Sequence, residues 1–209
     1  MKEFDATTYQ EQKGDFNNED EELLVSLLGK NKSHVRVLDI GCGDGALTKR
    51  IKESISCDEM VAIDNSAEQI SLATKVGSPI TFLHRDVVNF SPEEKFDIAY
   101  SFYAFPHIPK SALPEALSSV RATLKDGGTF YLFTNICLFD TAIATAEDQE
   151  ACDIVFLENW PSQINLVSLE EMKKLLDRSG FKEVENRKLK TGAQVKNYGE
   201  MVSWLFIFT

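Results

Sequence analysis

The chain has 209 residues, 43% hydrophobic and 26% charged, with 22 Lys and Arg against 33 Asp and Glu and a formal net charge of −11. That length and apolar fraction fit one globular domain with a sizeable core and exclude a disordered chain, while the acidity argues against nucleic acid and anionic membranes, both polyanions, as partners. The charge is local: residues 1–28 carry two bases against eight acids, residues 137–163 carry six acids and no base, and each segment stands at −6 beside a nearly neutral remainder.

In chain order, the opening MKEFDATTYQEQKGDF lacks the apolar core of a signal peptide and reads as an N-terminal arm. The run VRVLDI (35–40) predicts a strand, a Gly-rich turn follows, and ALTKRIKES (46–54) predicts a helix. MVAID (60–64) is a second strand. SAEQISLATKV (66–76) has helical spacing, with Ile70, Leu72 and Ala73 near one face. Pro79 breaks the chain before a third strand, ITFLH (80–84), and FDIAYSF (96–102) is a fourth. Leu113, Leu117, Val120 and Leu124 fall at helical spacings within 111–124, Gly127-Gly128 ends that helix, and TFYLFT (129–134) is a fifth strand. SLEEMKKLLDRSG (168–180) carries a capping box at Ser168 and Glu171 and a stop at Gly180. FKEVENRKL and MVSWLFIFT are two last strands, separated by a loop too short for a crossover helix and therefore predicted to pair antiparallel.

Strands alternating with helices predict a parallel sheet covered on both faces, and near-continuous apolar runs agree with strands buried on both sides. The expected α/β architecture is a seven-stranded, mostly parallel sheet with a C-terminal antiparallel strand. It forms one domain: an arm or lid at 1–28, a core at 29–136, an acidic lid-like insert at 137–163, and a C-terminal helix and hairpin at 164–209. No run approaches the ~18 apolar residues of a membrane span; IVFLENW is short and interrupted by Glu158. Cys42, Cys57, Cys137 and Cys152 form no CxxC pair and no zinc-like cluster, so free thiols, a cytoplasmic location and no metal are expected.

The motif that carries chemistry is VLDIGCGDG (37–45), at the junction of the first strand and first helix. Ligands of open α/β sheets bind at the carboxyl ends of the strands. Gly41 and Gly43 let the backbone turn and approach a ligand, and the helix N-terminus beyond them suits a carboxylate or phosphate. Asp39 can hold this loop or face a cationic ligand group, Asp44 can cap the helix, and Cys42 reads as a small buried turn residue. Asp64 ends the second strand, where a carboxylate accepts the two vicinal hydroxyls of a ribose; Asp86 follows the third strand, where one accepts an adenine amino group. Gly41, Gly43 and Ala46 also satisfy the G-x-G-x-x-A pattern of an NAD site. An acid at position 39, normally apolar in a dinucleotide fold, and the Gly-x-Gly-x-Gly spacing weigh against that alternative.

With these residues in hand the chain resembles the class I S-adenosylmethionine (SAM)-dependent methyltransferases, of the small-molecule, trans-aconitate-methyltransferase-like group. VLDIGCGDG is similar to the family's first motif, AIDNS to the acidic end of its second strand, RDV (85–87) to its adenine-side motif, FDIAYSFYAFPHI (96–108) to its fourth-strand motif, and LKDGGTFYL (124–132) to the approach to its fifth strand. The resemblance implies a three-layer Rossmann-like fold, SAM as cofactor and S-adenosylhomocysteine (SAH) as product. It implies that Gly41, Cys42 and Gly43 meet the methionine moiety with Asp39 in support, and that Asp64 binds the ribose beside Asn65. Asp86 and the Val87 N–H then meet the adenine, and Ser101 and Phe102 line the sulfonium end. Tyr9, Phe105 and His107 fall at the acceptor pocket, with His107 as candidate general base. A trianionic acceptor would call for Lys or Arg in the lid segments, which are nearly free of them. A neutral or cationic small acceptor is therefore expected, with the protein a monomer or weak dimer. A SAM-binding module without turnover, a protein methyltransferase and an NAD-dependent oxidoreductase are the alternatives.

Overall fold

The computed structural model describes residues 18–30, 34–77, 79–137, 165, 167–195 and 199–209. Tyr9, most of the N-terminal arm and nearly all of the acidic insert, Cys152 included, lie outside the described residues.

After helix α1 (Asn18–Leu28), strands and helices alternate: β1 (Arg36–Ile40), α2 (Ala46–Ser54), β2 (Glu59–Asp64), α3 (Ala67–Ala73), β3 (Thr81–His84), β4 (Phe96–Phe102), α4 (Leu113–Thr123) and β5 (Leu124–Cys137). There follow β6 (Val167–Ser168), α5 (Leu169–Arg178), β7 (Glu183–Val195) and β8 (Gly199–Phe208). The sheet order is β3-β2-β1-β4-β5-β8-β7. β1 to β5 pair in parallel, and β8 runs antiparallel to both its neighbours. Seven of these strands are those expected from the sequence. The eighth, the two-residue β6, pairs with the end of β5 through Ile136↔Val167 and Cys137↔Ser168; two residues leave no periodic signal to read.

The inner strands are largely apolar because both faces are covered, whereas the edge strands β3 and β7 are partly exposed. Leu38, Ile40, Ala99, Phe130, Leu132, Phe206 and Phe208 pack under α4 and α5, through Leu113, Leu117, Val120, Met172 and Leu176. Val37, Met60, Ile98, Tyr100, Phe133 and Leu205 pack on the other face, under Leu24, Leu27 and Leu28 of α1 and Ile51 of α2. α5 begins as the capping box requires, with Ser168 Oγ accepting the Glu171 N–H at 3.2 Å, and Gly180 follows its end at φ +82°. α3 differs from expectation. Its buried residues are Gln69 and Ala73, four apart, with Ile70 and Leu72 only partly covered. The helix is rotated toward the glycine loop, where Ala73 packs on Gly45.

Leu24 of α1 is fully buried against the sheet, so Leu24→Ala should lower stability by about 2–5 kcal/mol. The control Val184→Ala, at a residue 63% exposed, should change it by less than about 0.5 kcal/mol. The midpoint of urea unfolding measures both.

Candidate functional site

The carboxyl ends of β1, β2 and β4 meet at the glycine loop, residues 41–45. Its geometry demands glycine. Gly41 lies at φ +78°, and a Cβ there would sit 2.2 Å from the Cβ of Ala104. Gly45 lies at φ +77°, and a Cβ there would meet Ala73 and Phe82 at 2.9 Å. Left-handed backbone costs an ordinary residue roughly 1–2 kcal/mol, and contacts this short cannot be relieved without moving backbone. The Gly41 and Cys42 N–H groups both donate to Ile63 O, at 2.8 and 3.1 Å, so the loop folds back over the end of β2. The N-cap of α2 is Gly45, without a side-chain cap, and not Asp44 as the sequence suggested; Asp44 Oδ1 accepts the Ala46 N–H at 3.0 Å in a local turn just before it.

Asp39 is 3% exposed and faces the α1/α2 side of the sheet. The register pairs it with Tyr100 on β4, so the two side chains point the same way. Asp39 Oδ2 accepts the Tyr100 hydroxyl at 2.6 Å and the Thr48 hydroxyl at 2.7 Å. A buried carboxylate requires such donors. These two bonds tie the first strand to α2 and β4 beneath the loop. Burial and the adjacent Asp39 charge push the Tyr100 hydroxyl well above its ordinary pKa, so it remains a donor. Cys42 is 8% exposed, and burial, with Asp39 and Asp64 adding to it, pushes its thiol far up. It is a packed turn residue, with no thiolate character at neutral pH.

Asp64 links the loop to α3. Its Oδ2 accepts the Gly43 N–H at 2.9 Å and its Oδ1 accepts the Ser66 N–H at 2.8 Å. Burial raises its pKa, against the lowering effect of these two hydrogen bonds and of His84. Each oxygen retains lone-pair capacity for a further donor. Asn65 is exposed, and its carbonyl accepts from His84 Nε2 at 3.0 Å. Asp86 is exposed and caps a single 3₁₀ turn, Val87–Asn89, by accepting the Val88 N–H at 3.0 Å.

One group absent from the sequence reading belongs here. Gln69 is 4% exposed, and its Oε1 is a buried side-chain acceptor without a donor among the described residues. It lies 3.9 Å from where a Gly43 Cβ would stand. A donor-bearing ligand seated on Gly43, such as a hydroxyl or ammonium group, would satisfy it. A glutamine on an amphipathic helix carries no such signal; its four-residue spacing from Ala73 was the available clue.

On the fourth strand, Ser101 is fully buried and its hydroxyl donates to Ile40 O at 3.0 Å, tying β4 to β1. Its side chain serves the strand ends, not an open cleft. Phe102 is half-buried against Tyr103 and Phe133, with ring centroids 4.8 and 5.2 Å away. Phe105, expected at the acceptor pocket, is instead 1% exposed and packs on Phe130 in the core. The 3₁₀ turn Phe105–His107 drives that ring inward and leaves His107 half-buried at its end. Among the described residues no group of three or more His, Cys, Asp or Glu is placed to hold a metal ion, and no helix is long and apolar enough to cross a membrane.

Residues 13–186 match the model of a family described as methyltransferase domain. A malonyl-[acyl-carrier protein] O-methyltransferase of Ilyobacter polytropus is 30% identical over 145 residues, which cover 68% of this chain and 52% of that protein. The chain spans about half the length of the curated relatives it matches. Among solved structures, the YcgJ protein of Bacillus subtilis superposes with a TM-score of 0.70 at 17% identity, covering 91% of this chain and 97% of that one. The N-methyltransferase NodS of Bradyrhizobium japonicum with bound SAH gives 0.66 at 20% identity, covering 93% and 87%. These structural likenesses establish the fold.

Two outcomes follow from the loop. Gly41→Ala, forced against Ala104, should cost about 2–5 kcal/mol in chemical unfolding. In native protein Cys42 should resist alkylation at pH 8 and become labelled only on unfolding, read by peptide mass mapping.

Proposed function

Because the chain belongs to the methyltransferase-domain family, we propose that it is a SAM-dependent methyltransferase that moves a methyl group to a small-molecule acceptor by in-line displacement. The observation that carries this reading is Asp64. It ends β2 half-buried, ion-paired to no described residue, and held by two backbone N–H groups, one of them from the glycine loop. By contrast Asp97 and Glu59, at the opposite end of the strands, are neutralised by Lys125 and Arg36. A desolvated carboxylate without a Lys or Arg partner among the described residues suits a ligand that brings hydroxyl donors, as a ribose does.

The described residues fit the cofactor. Asp64 accepts the ribose hydroxyls, with Asn65 beside it. The 41–43 backbone receives the methionine moiety, and Gln69 Oε1 gains its missing donor. Asp86 and the Val87 N–H meet the adenine edge, and the backbone of Ser101 and Phe102 borders the sulfonium end. When bound, SAM supplies an electrophilic methyl group and a neutral thioether leaving group. Little new charge then needs stabilising, and the protein contributes chiefly by orientation, which in well-aligned cases lowers a barrier by about 7–11 kcal/mol. His107 is the candidate base, needed where the acceptor must lose a proton and idle where it is already an anion.

The acceptor is proposed to be small and neutral or cationic, from the −6 charge of residues 1–28 and of residues 137–163. Turnover measured across carboxylates, phenols and amines tests this; preference for a polycarboxylate would overturn it. Release of methyl from labelled SAM to any acceptor separates an enzyme from a binding module.

Asp64→Ala should weaken SAH binding by about 1–3 kcal/mol in calorimetry; unchanged affinity would refute the ribose role. The pH dependence follows from the raised pKa of Asp64. The folded protein holds this proton more tightly than the unfolded chain, so the group lowers stability as pH rises from the ordinary aspartate range through the raised value. Hydroxyl donors need the ionised form, so SAH affinity should fall as pH drops, beginning above the ordinary aspartate range.

A further inference from the structure

Tyr103 follows β4 with φ +57°, a left-handed conformation that strains a bulky residue and persists only where its surroundings hold it. Three contacts hold it here. Its N–H donates to Phe133 O at 2.9 Å. Its ring packs edge-on against Phe102, with the Phe133 ring centroid 6.5 Å away. Its hydroxyl donates to Asp20 Oδ2 at 2.6 Å. Asp20 lies in the first turn of α1 and is 3% exposed, so this is a charge-assisted bond shielded from water, of the stronger kind. The next residue in α1, Glu21, pairs with Arg50 of α2.

What Tyr103 controls is its neighbour. Ala104 is the residue whose methyl group fills the space beside Gly41. Its carbonyl accepts the His107 N–H at 3.0 Å and opens the 3₁₀ turn, and Pro106 O within that turn accepts the Asn165 N–H. The turn is thus held by α1 on one side, by the chain entering β6 on another, and leans on the glycine loop on a third.

We propose that Tyr103 is a positioning residue for the cofactor. Its hydroxyl, anchored on Asp20, keeps the strained turn in place, and the turn presses Ala104 against Gly41 and sets the loop in the form that receives the methionine end of SAM. The inference rests on the cofactor reading given above. Without the hydroxyl, residue 103 relaxes toward ordinary backbone angles, Ala104 withdraws from Gly41, and the loop loses the wall that defines it.

The test compares wild type, Tyr103→Phe, Asp20→Ala, their double variant and Asp20→Asn. SAH affinity is read by calorimetry, melting temperature without ligand, and KM for SAM against kcat. Tyr103→Phe and Asp20→Ala should each raise the SAH Kd about tenfold, and the double variant should be no worse than either, because both remove one bond. Asp20→Asn, whose amide oxygen still accepts the hydroxyl, should stay within about threefold of wild type. KM should follow Kd while kcat changes by less than about threefold. A lowered melting temperature with unchanged SAH affinity would mean a purely structural bond and would overturn the proposal. Failure of the wild type itself to bind SAH would overturn the cofactor reading instead.

Discussion

The structure turns on how the chain leaves β1. Within five residues it must reverse, open a helix and leave backbone exposed toward the carboxyl ends of the strands. It does so with glycines at 41, 43 and 45 in the left-handed region, and the space their missing side chains free is used at once. Ala104 comes in from β4 beside Gly41, and Ala73 and Phe82 come in from α3 and β3 beside Gly45. The loop is therefore a packing junction for elements that come from three parts of the sheet. The ends of β2 and β4 are fastened to β1 through it, by Ile63 O accepting from Gly41 and Cys42 and by Ser101 donating to Ile40 O.

The two ends of the sheet treat acidic side chains differently. At the amino ends, Asp97 is held below its ordinary pKa: burial opposes, but the Arg36 N–H and Lys125 outweigh it. At the carboxyl ends, Asp39 takes hydroxyl donors and Asp64 takes peptide N–H groups. Neutral donors compensate a buried charge less completely than a cation does, and in Asp64 the balance is visible as a raised pKa. Asp39 spends its acceptor capacity within the fold and stiffens the loop from below. Asp64, only half-buried, retains lone-pair capacity beyond its two N–H donors. Two aspartates near the ends of adjacent strands thus differ in burial and in the donors that hold them.

The sequence made the sheet and its order of elements legible because both rest on local signals: continuous apolar runs, glycine stops and the Ser168 cap. Asp39, Gly41, Gly43 and Asp64 were legible because glycines and acids at strand ends have few other uses. What escaped depended on partners distant in the chain. Gln69, 4% exposed beside Gly43, has no feature of its own that marks it as buried. Tyr103 carries no sign of a positive φ, since its partners, Phe133 and Asp20, lie 30 and 83 residues away in the chain. Phe105 reads as a pocket aromatic beside His107, yet the 3₁₀ turn swings its ring into the core. Each is a case of tertiary contact overriding what residue type and neighbours suggest.

The antiparallel strand has a consequence for how the protein comes into being. β8 is the last described strand along the chain, yet it lies inside the sheet, between β5 and β7. Until it arrives, β5 presents an open edge of apolar residues, Phe130, Leu132 and Phe133 among them, of the kind that invites pairing with other chains. During synthesis the glycine loop and the strands around it are available to fold early, while the sheet stays incomplete until its latest strand is inserted. Order of manufacture and order in space run opposite here, and the interval between them is when a nascent copy is most exposed to its neighbours.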